Sequence, residues 1–373
     1  MIYDLLYGNI LSVINMNAIS LVILIFALLG AIDFLTGNKF GIGKEFEKAF
    51  SLFAPMALSM LGMLVVAPAI GQWLLPVFEW FYNVFGIDPS IIPASLFAND
   101  MGGAILSAIV FKTEEIGNFS AYIVSSMMGC VISFTIPFAL GVVKREQHKE
   151  MFFGILCGIA TIPIGCFVAG LMCRINIGDL ILTLLPLIIF SLVVALLLIF
   201  LKNICIKIFS VFGFFMRTLA LTGLIISIFT FLTKIEISKY FDTFENAAFI
   251  CANACVTLSG ALPLMAIVSR LLNKPMEKIG SSVGINSVSA VALLATLVTN
   301  ASTFGVMDKM NKKGVVLNSA FAVSAAFVFG SHLAFTMAFD KSYIAPMIVG
   351  KIISGVCSIV LAFFLYKEEK ETV

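Results

Sequence analysis

The chain has 373 residues, 61% of them hydrophobic and only 12% charged, with 36 Phe against 2 Trp and a mean hydropathy of +1.10. A soluble domain of this length needs far more charge to cover its surface, and a formal net charge of +2 leaves no basic field for nucleic acid. Repeated apolar runs of about 17–25 residues match a bilayer core and lack the alternation of barrel strands, so the composition implies an all-α polytopic membrane protein.

No basic region precedes Leu11, and the first apolar stretch therefore reads as a span rather than a removed signal peptide. Spans are expected near 17–33, 52–72, 120–142, 151–173, 180–201, 218–233, 247–270, 316–338 and 345–366. Phe40, Phe46 and Phe50 with Lys44 and Lys48 suggest an interfacial helix before the second span. Trp73 and Trp80 are placed like an aromatic belt. Asp33 and Glu79 sit near the ends of apolar stretches, where surface pairing is expected.

Two further apolar segments are interrupted. The segment near 88–111 breaks at Asn99-Asp100-Met101-Gly102-Gly103, and the one near 285–307 breaks at Thr299-Asn300-Ala301-Ser302-Thr303. Both are expected to dip in and return, giving about nine crossings plus two re-entrant segments; if both crossed, there would be about eleven spans. The tail from Lys367 onward is charged and expected to be loose and cytoplasmic.

The halves resemble each other at an offset near 200: Phe46-Glu47 and Ala49 match Phe244-Glu245 and Ala247, and Ser120-Ala121, Val124 and Ser125 match Ser319-Ala320, Val323 and Ser324. The expected units are a first membrane repeat over 1–178, a linking helix over 179–205, a second repeat over 206–366 and a tail over 367–373. In the last three loops of each half the bias of Lys and Arg swaps, from none, one and three to three, three and one. By the positive-inside rule the repeats are then inverted relative to each other, with the N-terminus outside and the C-terminus inside.

Inverted repeats with paired broken segments place a substrate site where the breaks meet. Asp100 is the leading candidate, because a charge at the bilayer centre costs on the order of 2.5–3.5 kcal/mol and is kept only for function. Asn99, Asn300, Ser302 and Phe304 join it as candidate substrate-binding groups, the asparagines having half-helix capping as the alternative. A carboxylate, amides and unwound carbonyls suit a small polar cation, to which Phe97, Phe134 and Phe304 could offer ring faces. His332, deep in an apolar span, reads as a proton carrier, a substrate partner or a neutral structural histidine. Lys351 either snorkels to the surface or pairs with an acid such as Asp100 as an internal placeholder or coupling cation. Cys251 and Cys255 share a helical face, but no His or acid nearby in sequence completes a metal site.

Several segments together carry a family resemblance. Asp100-Met101-Gly102-Gly103, Ser126-Met127-Met128-Gly129, Thr161-Ile162-Pro163-Ile164-Gly165, Phe321-Ala322-Val323-Ser324-Ala325-Ala326-Phe327 and Ile348-Val349-Gly350-Lys351 resemble the EutH family of ethanolamine transporters. The resemblance runs from about Asp33 almost to the C-terminus. It implies import of ethanolamine across a bacterial cytoplasmic (inner) membrane, serving a catabolic pathway housed in a microcompartment, and it supports Asp100 and Asn300. Near the histidine the family pattern reads Gly-Asp-His, where this chain has Gly330-Ser331-His332.

A transporter is therefore expected, working by alternating access, with a passive facilitator or channel for small amines as the alternative. An intramembrane aspartyl protease needs two facing carboxylates, and no second Asp lies deep in a span to partner Asp100; a metalloenzyme needs more than two histidines. The expected partners are ethanolamine and membrane lipid, with H⁺ or Na⁺ coupling and homo-oligomerisation left open, and no cofactor or resident metal.

Overall fold

The structure, a computed structural model, describes residues 18–367, except the side chains of Lys202 and Cys205. The tail expected from 367 onward thus falls almost entirely outside the described residues. Within them the chain is helical throughout, without a strand. Eight helices are long and apolar enough to cross a bilayer: α1 (Ala18–Leu35), α2 (Gly43–Phe85), α5 (Glu114–Val142), α6 (His148–Met172), α7 (Ile177–Phe200), α8 (Lys202–Thr233), α9 (Phe244–Val283) and α14 (Ile344–Leu365). Their outward faces carry large apolar side chains such as Leu28, Phe214 and Phe364, as lipid-facing surfaces do. The chain is a multi-pass membrane protein. The expected interfacial helix is the first part of α2, running through a turn at Leu52 into the span, and Trp73 and Trp80 are exposed.

The two interrupted segments are closed hairpins. In the first, α3 (Ile91–Leu96) and α4 (Gly103–Val110) flank the Asn99–Met101 turn. Asp88 accepts from Lys112 N and Thr113 N, each at 2.9 Å, so the residues entering and leaving the hairpin meet at one carboxylate. In the second, α10 (Ser287–Thr296) and α11 (Asn300–Gly305) flank a break at Val298-Thr299. There Asn286 Nδ2 donates to the Lys309 carbonyl and Asn311 Nδ2 to that of Gly284, both at 2.8 Å. Each hairpin returns to where it began.

The expected span over 316–338 is not one helix. It divides into α12 (Lys312–Ala325) and α13 (Ser331–Phe339), with Ala326 extended and Phe327 at φ +64°. A bulky residue in the left-handed region costs about 1–3 kcal/mol and persists only where its surroundings hold it. Those surroundings are the end of α10: Phe327 N donates to Thr296 O at 3.3 Å and Phe329 N to Leu297 O at 2.8 Å. The backbone freed from one helix is satisfied by the break of another, which membrane depth demands. Gly330 sits against the Val298 carbonyl, where a Cβ would have no room.

Helix α5 stays continuous but widens into π turns at Ser120–Gly129 and Val131–Thr135, and α2 does the same at Ala57–Leu61. Around this centre α6 packs on α12 and α14; its Gly165 meets the Gly350 carbonyl, and Thr161 Oγ1 donates to Ser354 O at 3.1 Å. Small residues bring these backbones together without any hydrophobic drive from lipid. Helix α9 packs on α1 and α2.

Glu79 pairs with Lys112 at the surface (3.7 Å), as expected. Asp33 does not. The loop after α1 folds back over it, and its buried carboxylate accepts from Phe40 N, Ile42 N and Gly43 N at 2.8–2.9 Å.

Candidate functional site

The interruptions of α2, α5 and the three broken segments converge on one cavity of about 290 Å³. The first hairpin contributes Ala98, Asp100 and Met101; the second, Val298 and Thr299; and the α12–α13 break, Phe327, Gly330, Ser331 and His332. The π segments add Cys130 and Phe134 from α5 and Ser59 and Met60 from α2, and the exposed Lys48 marks its mouth.

Helix α5 positions both hairpins. Ser133 Oγ accepts from Ala98 N (3.0 Å) and Thr135 Oγ1 from Asn300 Nδ2 (3.0 Å), so two residues of one π segment register the two tips. Gly129 lies against the carbonyls of Phe97 and Ala94, leaving no space for a Cβ.

Asp100 is the carboxylate of the cavity, 9% exposed. Its own amide donates to Asn99 Oδ1 at 3.0 Å, and Ser331 is its side-chain hydrogen-bond contact. Phe134 and Phe327 meet edge to face, centroids 5.6 Å apart, on the same wall. A buried carboxyl group, two rings and hydroxyls at Ser331, Thr299 and Ser59 have the chemistry to receive a small cation that also carries a hydrogen-bonding group.

His332 reaches the cavity from the N-terminal turn of α13, with its ring against Phe327 (5.0 Å). Behind it, Lys351 Nζ lies 3.1 Å from His332 Nδ1 and 2.5 Å from Ser126 O. Lys351 is 1% exposed, so it does not snorkel. Its hydrogen bonds go to an imidazole and a carbonyl rather than directly to Asp100. The ammonium is a second layer of the site.

The other sequence candidates lie elsewhere. Asn99 and Asn300 are fully buried behind the wall, each with one amide atom lacking a hydrogen-bond partner, Asn99 Nδ2 and Asn300 Oδ1. Ser302 is exposed on the far side of α11. Phe304 is buried in the main core against Phe138 (6.4 Å), and Phe97 packs on Phe212 (6.0 Å). The helical turn of α11 explains this: with Asn300 and Thr303 turned into the core, Ser302 points away. Phe327, Ser331 and Thr299 take the places expected of Ser302 and Phe304. In the sequence Phe327 stands only as the end of a family motif and Ser331 only as the neighbour of His332.

Comparison with known proteins places the chain in a family. A relative from Listeria monocytogenes serotype 1/2a (strain 10403S), named "Probable ethanolamine permease EutH", is 37% identical over 341 residues, 91% of either chain. One of the same name from Escherichia coli (strain K12) is 35% identical over 357 residues, 89% of this chain and 87% of the relative. No solved structure matches. The family described as "Ethanolamine utilisation protein, EutH" matches residues 15–365, and the chain belongs to that family.

Proposed function

We propose that the protein is a transporter, not an enzyme, and that it imports protonated ethanolamine by alternating access, the ammonium held by Asp100. The observation that carries this reading is the convergence of three broken segments and two π-distorted helices on a cavity with a buried carboxylate. Interrupted helices at membrane depth are tolerated where they line a cavity, and an acid there marks a pathway. The names of the relatives supply the substrate. The ammonium meets Asp100 and the faces of Phe134 and Phe327; the hydroxyl is within the repertoire of Ser331 and Thr299.

An inverted repeat would give the two exchanging states. It is supported by the like position of Asp88 and Asn286, the residues that close the two hairpins, at the same offset as the sequence matches. The helix following each hairpin is irregular in both halves, π-wide in α5 and broken between α12 and α13. With the basic loop of Lys39, Lys44 and Lys48 inside, the mouth at Lys48 makes this the inward-open state. His332, backed by Lys351, is the candidate for coupling to H⁺.

Uptake of labelled ethanolamine into proteoliposomes at acidic pH tests the reading, because the charged form dominates there and does not leak through lipid. Accumulation above equilibrium that requires an imposed H⁺ or Na⁺ gradient identifies a coupled carrier and its ion. Saturable equilibration without accumulation identifies a facilitator. Absence of saturable uptake under all gradients refutes transport of ethanolamine.

A further inference from the structure

Beside the substrate cavity lies a larger groove of about 700 Å³ between α2, α5 and α8. The two share four wall residues, Pro55, Ser59, Met101 and Phe134. The groove's wall is mostly apolar, with Phe138, Leu140, Met216 and the exposed Leu58, Phe214 and Leu221. The last three belong to the surface that faces lipid. One cation interrupts this wall: Arg217, midway along the 32-residue α8.

Among the described residues no carboxylate, carbonyl or ring partners the guanidinium. The hydroxyls that line the groove with it include Ser59 and Ser133, which donate to the Pro55 and Gly129 carbonyls, and a neutral hydroxyl does not balance the charge of a guanidinium. An unpartnered arginine in the middle of a membrane helix costs several kcal/mol unless an anion or water meets it. The apolar walls argue against water. Guanidinium recognises phosphate in a bidentate fork, and a lined apolar slot beside it fits an acyl chain.

We propose that this groove is a phospholipid site, the lipid phosphate on Arg217 and an acyl chain along Phe134, Phe138, Leu140 and Phe214. The lipid head then rests on the wall shared with the substrate cavity. A bound lipid closes the cavity on that side and fixes the α5–α8 distance. The site takes a phosphate-bearing amphiphile and rejects a neutral diacylglycerol.

The test is native mass spectrometry of the full chain purified in mild detergent, with bound phospholipid counted after a delipidating wash. Wild type and Arg217→Lys should retain a phospholipid, and Arg217→Gln should lose it by about tenfold or more, the scale of a charged hydrogen bond. Ser210→Trp, which narrows the groove from α8 without touching Arg217, should also lose it. Rebinding should succeed with phospholipid and fail with diacylglycerol. Because Arg217 has no partner among the described residues, the Gln variant should elute as wild type does. If that variant misfolds, the Ser210→Trp and diacylglycerol results decide alone. Retention by Arg217→Gln equal to wild type, a wild type that holds no phospholipid, or equal rebinding of diacylglycerol overturns the proposal.

Discussion

Lys351 Nζ faces His332 Nδ1 at 3.1 Å. A protonated Lys351 has only donors; against it Nδ1 offers its lone pair and the ring proton of His332 sits on Nε2. The protonation of the lysine thus selects the tautomer at the cavity. Removing either partner has unequal consequences. His332→Ala leaves a fully buried ammonium with one carbonyl, a loss of about 3–5 kcal/mol for an uncompensated buried charge. Lys351→Met removes the charge and leaves only neutral groups without a partner, about 1–3 kcal/mol. The histidine variant should show the lower unfolding midpoint in detergent. The opposite order would mean that the ammonium is stabilised chiefly by something other than this ring.

In the proposed function Asp100 carries the recognition of charge. Asp100→Asn keeps the size of the side chain, so the protein should reach the membrane in wild-type amount. Loss of a desolvated charge pair costs about 2–5 kcal/mol, and ethanolamine uptake should fall on the order of 10²-fold or more. Uptake by the Asn variant within a few-fold of wild type would remove Asp100 from the site.

Gly129 tests the register between α5 and the first hairpin. An added methyl meets the Phe97 and Ala94 carbonyls, which are backbone and cannot rotate away, whereas at Gly141 on the same helix it meets nothing within 4 Å. Gly129→Ala should lower stability by about 1–3 kcal/mol and depress uptake, and Gly141→Ala should change neither. Equal behaviour of the two variants would show that the hairpin does not depend on this contact.

Much of this arrangement is legible in the sequence because breaks at membrane depth must announce themselves. Asn99-Asp100 and Thr299-Asn300 put polar groups where lipid cannot satisfy them, the first beside Gly102 and Gly103, which let the backbone turn, and both mark hairpins. The α12–α13 break is barely legible: it opens at Ala326-Phe327-Val328-Phe329, without proline, glycine or polar residue, and only Gly330-Ser331 at its end carries a signal. Its interruption is imposed from outside by the Thr296 and Leu297 carbonyls. The π turns of α5 are likewise a product of packing. The apolar run around Lys351 leaves snorkelling and internal pairing equally open, and its partner Ser126 lies 225 residues away, a distance that no local pattern spans. Ser302 and Phe304 were misplaced because α11 turns them away, by a phase that composition does not set.

Orientation follows from two contacts across the halves. Lys144 pairs with Asp308 at 3.2 Å, and Gln147 Nε2 donates to Met307 O at 2.8 Å, so the loop before α6 and the exit of the second hairpin share a side. That side carries Lys144, Arg145, Lys149, Lys309, Lys312 and Lys313, and the positive-inside rule makes it cytoplasmic. Gln147→Cys and Lys312→Cys should both resist an impermeant thiol reagent applied to intact cells and react after permeabilisation. Ser342→Cys, exposed in the turn beyond α13, should react from outside. Labelling of Gln147→Cys and Lys312→Cys from outside, with Ser342→Cys protected, would invert the whole assignment and make the cavity mouth at Lys48 outward. A split between Gln147→Cys and Lys312→Cys would contradict the contacts that tie them together.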